Sequence, residues 1–401
     1  MKRMKKKILL LGGSYGQIPA IKEANKRGLY TILCDYLPDN PGREFVDIYY
    51  NVSTTDKENV LKIARNHQID AVFAYASDPA ALTQAYVSRV LNLPGNSEKS
   101  ILLLTDKSEF RSFQKKNNFN VPAFQSISAG QFQKLESLSI DFPVFVKPID
   151  ASDSKGVFKV DSIQNLKEKA EVALSFSRSG KIIVEEFIDA KGGILHGDAF
   201  FLDGKMAFCM LGDQIFYSKA NPLKPVSTLY PSRYPASELS QVESEVANII
   251  KKSGFKNGPL NIEVRVSEEG SIYIMEIGPR SGGDLTPEAI AYCSGFNMLH
   301  STYDFLFSKP VIVTNNQSYP TILYSLHSNR SGIFKEFVLS KDLKPFLKHE
   351  ALFIKAGDVV KPYSESGSTL GVLILTFPDF NVANKHLDNL YQTVQDSVKL
   401  A

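Results

Sequence analysis

Glu263 and Glu276 stand in the segment Asn261-Ile-Glu-Val-Arg-Val-Ser-Glu-Glu-Gly-Ser-Ile-Tyr-Ile-Met-Glu-Ile-Gly-Pro-Arg280, where two runs rich in Ile, Val and Tyr flank Ser267-Glu-Glu-Gly270. That pattern predicts a β-hairpin. A turn made of Ser267–Gly270 would set Val266 opposite Ser271, Glu263 opposite Ile274 and Asn261 opposite Glu276. Strand alternation then projects Asn261, Glu263 and Glu276 from one face. The two carboxylates become diagonal neighbours across the strands, close enough to share a ligand. Like charges so placed repel unless a cation lies between them, and two carboxylates plus phosphate oxygens are a common way to hold Mg²⁺. A solvated charged face on an edge hairpin would use the same residues, so the choice rests on the rest of the chain.

Three further features bear on phosphate. Phe142-Pro-Val-Phe-Val-Lys147 delivers a lysine at a strand end, and Lys107 follows Asp106 at the head of a predicted helix. An ammonium group is a compact point charge able to neutralise phosphate. The loop Ser152 to Gly156 carries hydroxyls and a glycine, so its amides could close over phosphate oxygens. Taken singly, each has an ordinary alternative as a surface lysine or a plain loop. Lys219, Lys224, Tyr230 and Arg233, in a Pro-rich loop, are candidates for contact with an anionic substrate or for a simple surface loop.

The elements that must position these residues alternate between strand and helix. Lys7 to Leu11 reads as a strand, Gly12-Gly-Ser-Tyr-Gly16 as a glycine-rich turn, Gln17 to Arg27 as a helix, and Tyr30 to Cys34 as a strand ending at Asp35. This order predicts a Rossmann-like unit with loop amides at a helix N-terminus. The full G-x-G-x-x-G spacing is missing, so a turn that packs helix on sheet explains the glycines as well as a dinucleotide does. Lys57 to His67, Ala71 to Tyr75 and the stretch after Asp78-Pro79 continue as helix, strand and helix, and Leu91 to Gly95 closes the unit. Lys181 to Ile188 predicts a strand ending in acids, His196 to Leu202 and Lys205 to Met210 a hairpin, Gln241 to Ser253 a helix, and Asn381 to Lys399 a last helix. Beyond Pro310 the composition shifts toward strands and turns.

Size and composition narrow the class. A chain of 401 residues is too long for one ordinary core and suggests two or three domains. With 46 basic and 43 acidic residues the net charge is only +3, which gives no electrostatic reason to expect nucleic acid. The basic start leads into a short apolar run, Ile8 to Leu11, which reads as the lead-in to a first strand and not as a secretory leader. No stretch is apolar enough to span a membrane. Three dispersed cysteines offer neither a disulfide framework nor zinc-ligand spacing. A cytoplasmic α/β protein is expected.

In order and spacing, Thr105-Asp-Lys107, Phe145-Val-Lys147-Pro148, Ser152 to Val157, Val184-Glu-Glu-Phe-Ile188, Asn261-Ile-Glu263 and Met275-Glu-Ile-Gly-Pro-Arg280 resemble the ATP-grasp superfamily, which includes biotin carboxylase, carbamoyl-phosphate synthetase, glycinamide ribonucleotide synthetase and D-alanine ligase. The resemblance spans essentially the whole chain. It implies an α/β fold, with α+β character in the nucleotide-binding part. The expected parts are an N-terminal Rossmann-like domain over 1–105, an ATP-grasp domain over 106–310 with a lid at about 121–188, and a small C-terminal α+β, β-rich domain over 311–401. Lys107 and Lys147 would contact the phosphates of ATP under a loop containing Ser152, Ser154, Gly156 and Val157. The strand end Glu185, Glu186, Phe187 and Ile188 would meet adenine through its backbone, and His196 and Asp198 are candidates near the nucleotide. Glu263 and Glu276, with Asn261, would hold Mg²⁺ (or Mn²⁺). Arg280, with Lys147, would stabilise the transferred phosphoryl group, and Asp284 is a candidate base. Gly13, Ser14, Arg280, Ser281 and Gly282 are candidate substrate contacts.

The function so implied is an ATP-dependent ligase that activates a small-molecule carboxylate as an acyl phosphate, couples it to an amine or other nucleophile, and releases ADP and phosphate. The alternatives are a carboxylase or small-molecule kinase of the same fold, or a non-catalytic ATP-binding regulator. The expected partners are the two small molecules, with neither nucleic acid nor membrane, and a homodimer is compatible. Two departures qualify the resemblance. Gly278 stands where the family's metal strand carries asparagine, which leaves Asn261 or water for a second metal. Arg280-Ser-Gly-Gly-Asp284 lacks the biotin carboxylase signature, and no carrier-lysine motif is present, so biotin carboxylation is disfavoured.

Overall fold

Ile8, Leu9, Leu10 and Leu11 are all buried, the continuous apolar run that a parallel strand needs when both its faces are covered. The computed structural model, which describes residues 5–136, 138–151, 155–217, 224–314, 317–363 and 368–401, places this run at the centre of a sheet. β1 (Lys7–Leu11), β2 (Tyr30–Asp35), β3 (Ile48–Asn51) and β4 (Ala71–Phe73) are mutually parallel in the order β3-β2-β1-β4. Helices α1 (Ile18–Lys26) and α2 (Lys57–His67) supply crossovers, as parallel pairing requires. After β4 the chain continues through α3 (Asp78–Val90), α4 (Glu98–Thr105) and α5 (Lys107–Lys116).

A second sheet is antiparallel. β5 (Phe124–Ser128), β6 (Val144–Pro148), β7 (Phe158–Val160) and β8 (Lys181–Glu186) run in the order β5-β8-β6-β7. Helix α6 (Ile163–Ser175) packs on it, and Val144, Val146, Leu166, Ala170 and Val184 belong to a core of its own.

The largest sheet has eight strands. β9 (Ile194–Leu202), β10 (Lys205–Ile215), β11 (Ser227–Tyr230), β12 (Gly258–Val266), β13 (Ile272–Gly278) and β14 (Thr321–Leu326) are joined by strands Leu347–Leu352 and Gly371–Thr376. Their order is β13-β12-β9-β10-β11-β14, then Gly371–Thr376, then Leu347–Leu352. The sheet crosses residue 310 without interruption, because β11 pairs directly with β14. α7 (Ala236–Ser253) covers the β9–β13 end together with Ile101 and Leu104 of α4 and Phe110 of α5. α8 (Thr286–Ser294) and α9 (Met298–Leu306) follow β13, and α10 (Phe380–Ser397) packs near the C-terminal strands. Leu299, Tyr303 and Leu306 of α9 share a core with Ile8 and Leu10 of β1. An ion pair, Arg27 Nη1 to Asp304 Oδ1 at 2.7 Å, adds to this joint. The segment that follows the Glu276 strand is thereby fastened to the first sheet. No helix among the described residues is long and apolar enough to cross a membrane.

Several boundaries differ from the sequence-based expectation: the helix expected from Gln241 begins at Ala236, the strand expected to end at Met210 runs to Ile215, and the strand expected through Ile188 ends at Glu186. The last helix stops at Ser397, because Val398–Leu400 pairs as a strand with Gly332–Phe337. The strand expected through Tyr75 ends at Phe73.

Candidate active site

The β12–β13 hairpin forms, but in a different register from the one its turn residues predict. Val266 pairs with Ile272, Val264 with Ile274, Glu263 with Glu276 and Asn261 with Gly278. The turn takes in Ser271, whose carbonyl accepts from Ser267 N–H at 2.9 Å. The pairing also slips between Glu263 and Val264, where Met275 is the additional residue on β13, a β-bulge. Each change moves the register by one position. Glu263 and Glu276 are therefore directly opposite instead of diagonal. Uncompensated like charges at that spacing destabilise a sheet.

The bulge is held from outside the sheet. Arg111 of α5 donates from Nη2 to the Met275 carbonyl at 2.7 Å, and Gln114 donates from Nε2 to the Ile274 carbonyl at 2.9 Å. These bonds satisfy backbone acceptors at the irregular step of the ladder. Lys107, Phe110, Arg111 and Gln114 are the buried residues of α5, spaced as one helical face. Arg111 and Gln114 were not singled out in the sequence. The signal was there, as polar residues on the otherwise buried stripe of an amphipathic helix.

Lys107 is the first residue of α5. Asp106 caps the helix, its Oδ1 accepting from Ser108 N–H at 2.9 Å and Glu109 N–H at 3.0 Å. A cation in a first helical turn opposes the helix dipole, so its place here calls for a compensating anion. Lys107 Nζ donates to the Ala151 carbonyl at 3.0 Å and lies 3.5 Å from Glu276 Oε1. Asp106→Ala is expected to lower stability by about 1 kcal/mol, measured by urea denaturation.

Lys147, on β6, forms a salt bridge to Glu185 Oε2, while Arg111 Nε donates to Glu185 Oε1 at 2.7 Å. Glu185 and Arg111 are fully buried. Burial alone would raise the Glu185 pKa, but Arg111 and Lys147 outweigh it and hold the carboxyl at about 2. Burial lowers the Lys147 pKa, with Arg111 and Lys107 acting in the same direction against Glu185. The Glu185 side chain thus orients a lysine. Farther along, the Glu186 and Phe187 amides donate to the carbonyls of Ala123 at 2.9 Å and Pro143 at 3.1 Å, and Arg265 Nη1 donates to the Ile188 carbonyl at 2.7 Å. The Arg265 guanidinium lies 5.5 Å from the Phe145 ring and 5.4 Å from the Phe187 ring. Gly156 and Val157 are described, with Gly156 at φ +69° in the left-handed region. Ser152, Ser154 and Lys219 lie outside the described residues.

β9 continues the carboxylate face. His196 pairs with Glu263, and Asp198 with Asn261, so the rows read His196–Glu263–Glu276 and Asp198–Asn261–Gly278. Asn261 Nδ2 lies 3.0 Å from His196 Nε2 and donates to Asp198 Oδ1 at 2.8 Å. The Asp198 carboxylate also accepts from Gly282 N–H at 2.9 and 3.1 Å. Burial lowers the His196 pKa to about 4 and raises Asp198 to about 6. Burial likewise raises Glu263, with Arg265 opposing and the facing Glu276 reinforcing the shift. His196 Nδ1 and Ser281 Oγ are buried without a hydrogen-bond partner among the described residues.

Arg280, just beyond β13, donates from Nε and Nη2 to both oxygens of Asp78, at 2.9 and 2.7 Å. Burial would lower the Arg280 pKa, but the Asp78 pair outweighs it and raises it. Asp78, the first residue of α3, was read in the sequence only as part of a helix start. Asp284 and Leu285 adopt φ of +50° and +63°, a strained pair that the buried Leu285 side chain holds in place. A cavity of about 390 Å³ is lined by Asp78, Thr105, Lys107, Asp150, Glu276 and Gly278, among others.

Gly13 and Ser14 bond elsewhere. Gly13 N–H donates to Asp35 Oδ2 at 2.8 Å, and Ser14 N–H donates to Gln17 Oε1 at 3.0 Å. They connect toward the 280s indirectly: Gln17 Nε2 donates to the Tyr75 carbonyl at 3.0 Å, and Tyr75 O–H to Glu288 Oε1 at 3.2 Å. Of the loop considered for anionic substrate, Arg233 instead pairs with Asp213 at 2.8 Å. No group of three His, Cys, Asp or Glu side chains placed for a metal occurs among the described residues, so a cation at Glu263 and Glu276 would draw its remaining ligands from substrate or water.

Residues 140–288 match the family model described as ATP-grasp domain. The chain is 24% identical over 285 residues to the carbamoyl phosphate synthase large chain of Thermoanaerobacter sp. (strain X514), a match covering 67% of this chain and 25% of that protein. It therefore spans only about a quarter of that relative's length. To the formate-dependent phosphoribosylglycinamide formyltransferase of Prochlorococcus marinus (strain NATL2A) it is 25% identical over 401 residues, covering 97% of this chain and 98% of that one. The solved structure of an L-amino acid ligase from Bacillus licheniformis superimposes with a TM-score of 0.81 at 19% identity, covering 100% of this chain and 99% of that one. That likeness establishes the fold over the full length.

Proposed function

The chain belongs to the ATP-grasp superfamily, a family that binds ATP with Mg²⁺, and from that premise we propose an ADP-forming carboxylate–amine ligase. The observation that carries this reading is the directly opposed pair Glu263 and Glu276, of which Glu276, with Lys107 Nζ 3.5 Å away, lines a cavity of about 390 Å³ together with Lys107.

The donor set fits a magnesium ion, which takes one or two carboxylates and completes its shell with phosphate oxygens and water. Glu263 and Glu276 would hold it, and when bound it supplies charge neutralisation between these carboxylates and the phosphates. Lys107 and Lys147 would meet the phosphates directly. Glu185 and Arg111 set the position of Lys147, so little reorganisation is needed when ATP arrives. The backbone around Phe187 and Ile188 would meet adenine. The sheet of residues 124–186 has its own core, which supports treating about 121–188 as a lid that excludes water from a hydrolysable intermediate.

In the first step a substrate carboxylate oxygen attacks the γ-phosphorus. The bond to the β–γ bridging oxygen breaks, leaving ADP and an acyl phosphate. In the second, the amine nitrogen attacks the acyl carbon, the carbon–oxygen bond breaks and phosphate departs. The amine proton passes to a base, for which Asp284 in the strained loop is the candidate. Arg280 would face the phosphoryl oxygens. Positioning and charge supply most of the rate, as is general for phosphoryl transfer.

The test is a screen of paired carboxylates and amines, with nucleotide products separated and coupled products weighed by mass spectrometry. ADP and phosphate are expected only when both substrates are present. AMP and pyrophosphate would replace the acyl-phosphate route with adenylation, and ADP formed with one phosphorylated acceptor would identify a kinase.

A further inference from the structure

The first sheet has a switch point that the nucleotide reading leaves unused. Its order, β3-β2-β1-β4, reverses at β1, because the chain runs outward from β1 through β2 to β3 and returns to pair β4 on the other side of β1. In open α/β sheets small molecules bind at such a point, outside the carboxyl ends of the two strands. Gly12 to Gly16 follows β1 there, and Ala74 to Ser77 follows β4.

The polar groups at this point favour a cation. The amides of Gly12, Gly13 and Ser14 donate to the Cys34 carbonyl, Asp35 Oδ2 and Gln17 Oε1. Side chains also fill the space over the turn. A Cβ on Gly13 would lie 2.1 Å from Asn40 Oδ1, and one on Gly12 would lie 2.2 Å from Gln17 Nε2. The turn is therefore closed to phosphate, which needs free amides. Ser14 Oγ and Gln17 Nε2 are spent as well, each at 3.0 Å, on Gln17 Oε1 and the Tyr75 carbonyl.

What remains is an acceptor. Tyr75, only 2% exposed, donates its hydroxyl to Glu288 Oε1 and Oε2 at 3.2 and 3.3 Å, which leaves most of the carboxylate's lone pairs for other donors. Burial raises the Glu288 pKa to about 7; its own amide and Tyr75 oppose the shift, Asp198 adds to it, and no cation takes part. Glu288 stays partly exposed in the first turn of α8. Leu285, just before that helix, and Ala289 within it belong to the core on which Phe353 packs, and Phe353 stacks on Tyr15 of the glycine turn at 5.2 Å between ring centres. Tyr15 remains 40% exposed. The loop after β4 ties α8 to the reaction site: Tyr75 holds Glu288, and Asp78, three residues on, holds Arg280.

We propose that Glu288 binds the amine co-substrate as its ammonium ion at the β1–β4 switch point, with Tyr15 as the aromatic surface beside it, and that the acceptor is a primary amine with no anionic group to place on the glycine turn. The inference rests on the ligase reading above and names the acceptor class that it leaves open. An ammonium brings three donors and no acceptor, which suits a site whose own donors are spent.

The test uses glycinamide, L-alaninamide and n-butylamine, titrated into the full chain with ADP and Mg²⁺ present and read by saturation-transfer NMR. At least one is expected to bind, and Glu288→Gln to weaken it about 10–100-fold, the range for losing a hydrogen bond between charged groups. No binding to the parent, or equal affinity in the variant, would overturn the proposal. Should the variant not fold, a crystal of the parent with the tightest of the three decides: its nitrogen is expected on a Glu288 oxygen, and a nitrogen bound elsewhere refutes the site. Amine binding that depends on Glu288, without ADP-forming coupling in the paired screen, would sink the ligase reading and leave the site standing. Coupling whose amine KM is unmoved by Glu288→Gln would do the reverse.

Discussion

Glu276→Gln is expected to cut ADP release on the order of 10²–10³-fold, the scale for losing one preorganised electrostatic contact to the transition state, while melting at the same or a slightly higher temperature. The two halves of this expectation have one cause. Glu276 is directly opposite Glu263 on the neighbouring strand, and its side chain is 37% exposed with Lys107 Nζ 3.5 Å away. Neutralising it removes a like-charge repulsion from the ligand-free protein. The same change removes half of the charge available to compensate a bound cation. Ordinary surface carboxylates would show neither effect. Unchanged ADP release in a screen that detects the parent enzyme would rule out the metal assignment, and a large fall in melting temperature would show that Glu276 serves the fold.

Arg111→Met should be the most destabilising of the single substitutions considered, at about 3–5 kcal/mol, the cost of removing one partner of a buried ion pair. Arg111 is fully buried and bonds Glu185, Gln114 and the Met275 carbonyl at once. Its loss leaves the Glu185 carboxylate with Lys147 alone and frees the bulge that sets the Glu263–Glu276 register. Urea denaturation gives the magnitude, and a loss under about 1 kcal/mol, the range of exposed pairs, would refute the role. The acid limb gives a second readout. The folded-state Glu185 pKa is depressed from 4.5 to about 2, so its contribution is full above about pH 4.5 and is lost as the pH falls through about 2. In the variant that loss should begin at higher pH, because the larger of the two opposing charges is gone. The double variant Arg111→Met/Glu185→Gln should recover part of the stability, since no unpaired buried charge remains.

Much of the architecture is local information. The buried run Ile8–Leu11, the helix Lys57–His67, the Asp203-Gly204 hairpin and the Asp106 cap before Lys107 all follow from side-chain period and turn chemistry. Helix α8 has no period legible in the sequence, because Thr286, Pro287, Ala289, Ile290, Cys293 and Ser294 are all buried. A helix covered on most sides shows no polar stripe from which to read its period.

The identities of Lys107, Lys147, Glu263, Glu276 and Arg280, and their order along the chain, were determined by the sequence alone. Which atoms face one another was decided only by the tertiary structure. Turn length and one bulge moved Glu276 by two positions relative to β12, and the bulge is satisfied by Arg111 and Gln114, some 160 residues away along the chain. Arg280 meets Asp78 across a separation of 202 residues, in a space that exists because residue 278 has no Cβ. Spacing along a strand sets the face on which a side chain projects, since that depends on local geometry. Long-range partners depend on how separately formed sheets dock and on which buried polar groups must then be paired, and no local pattern in the chain encodes that.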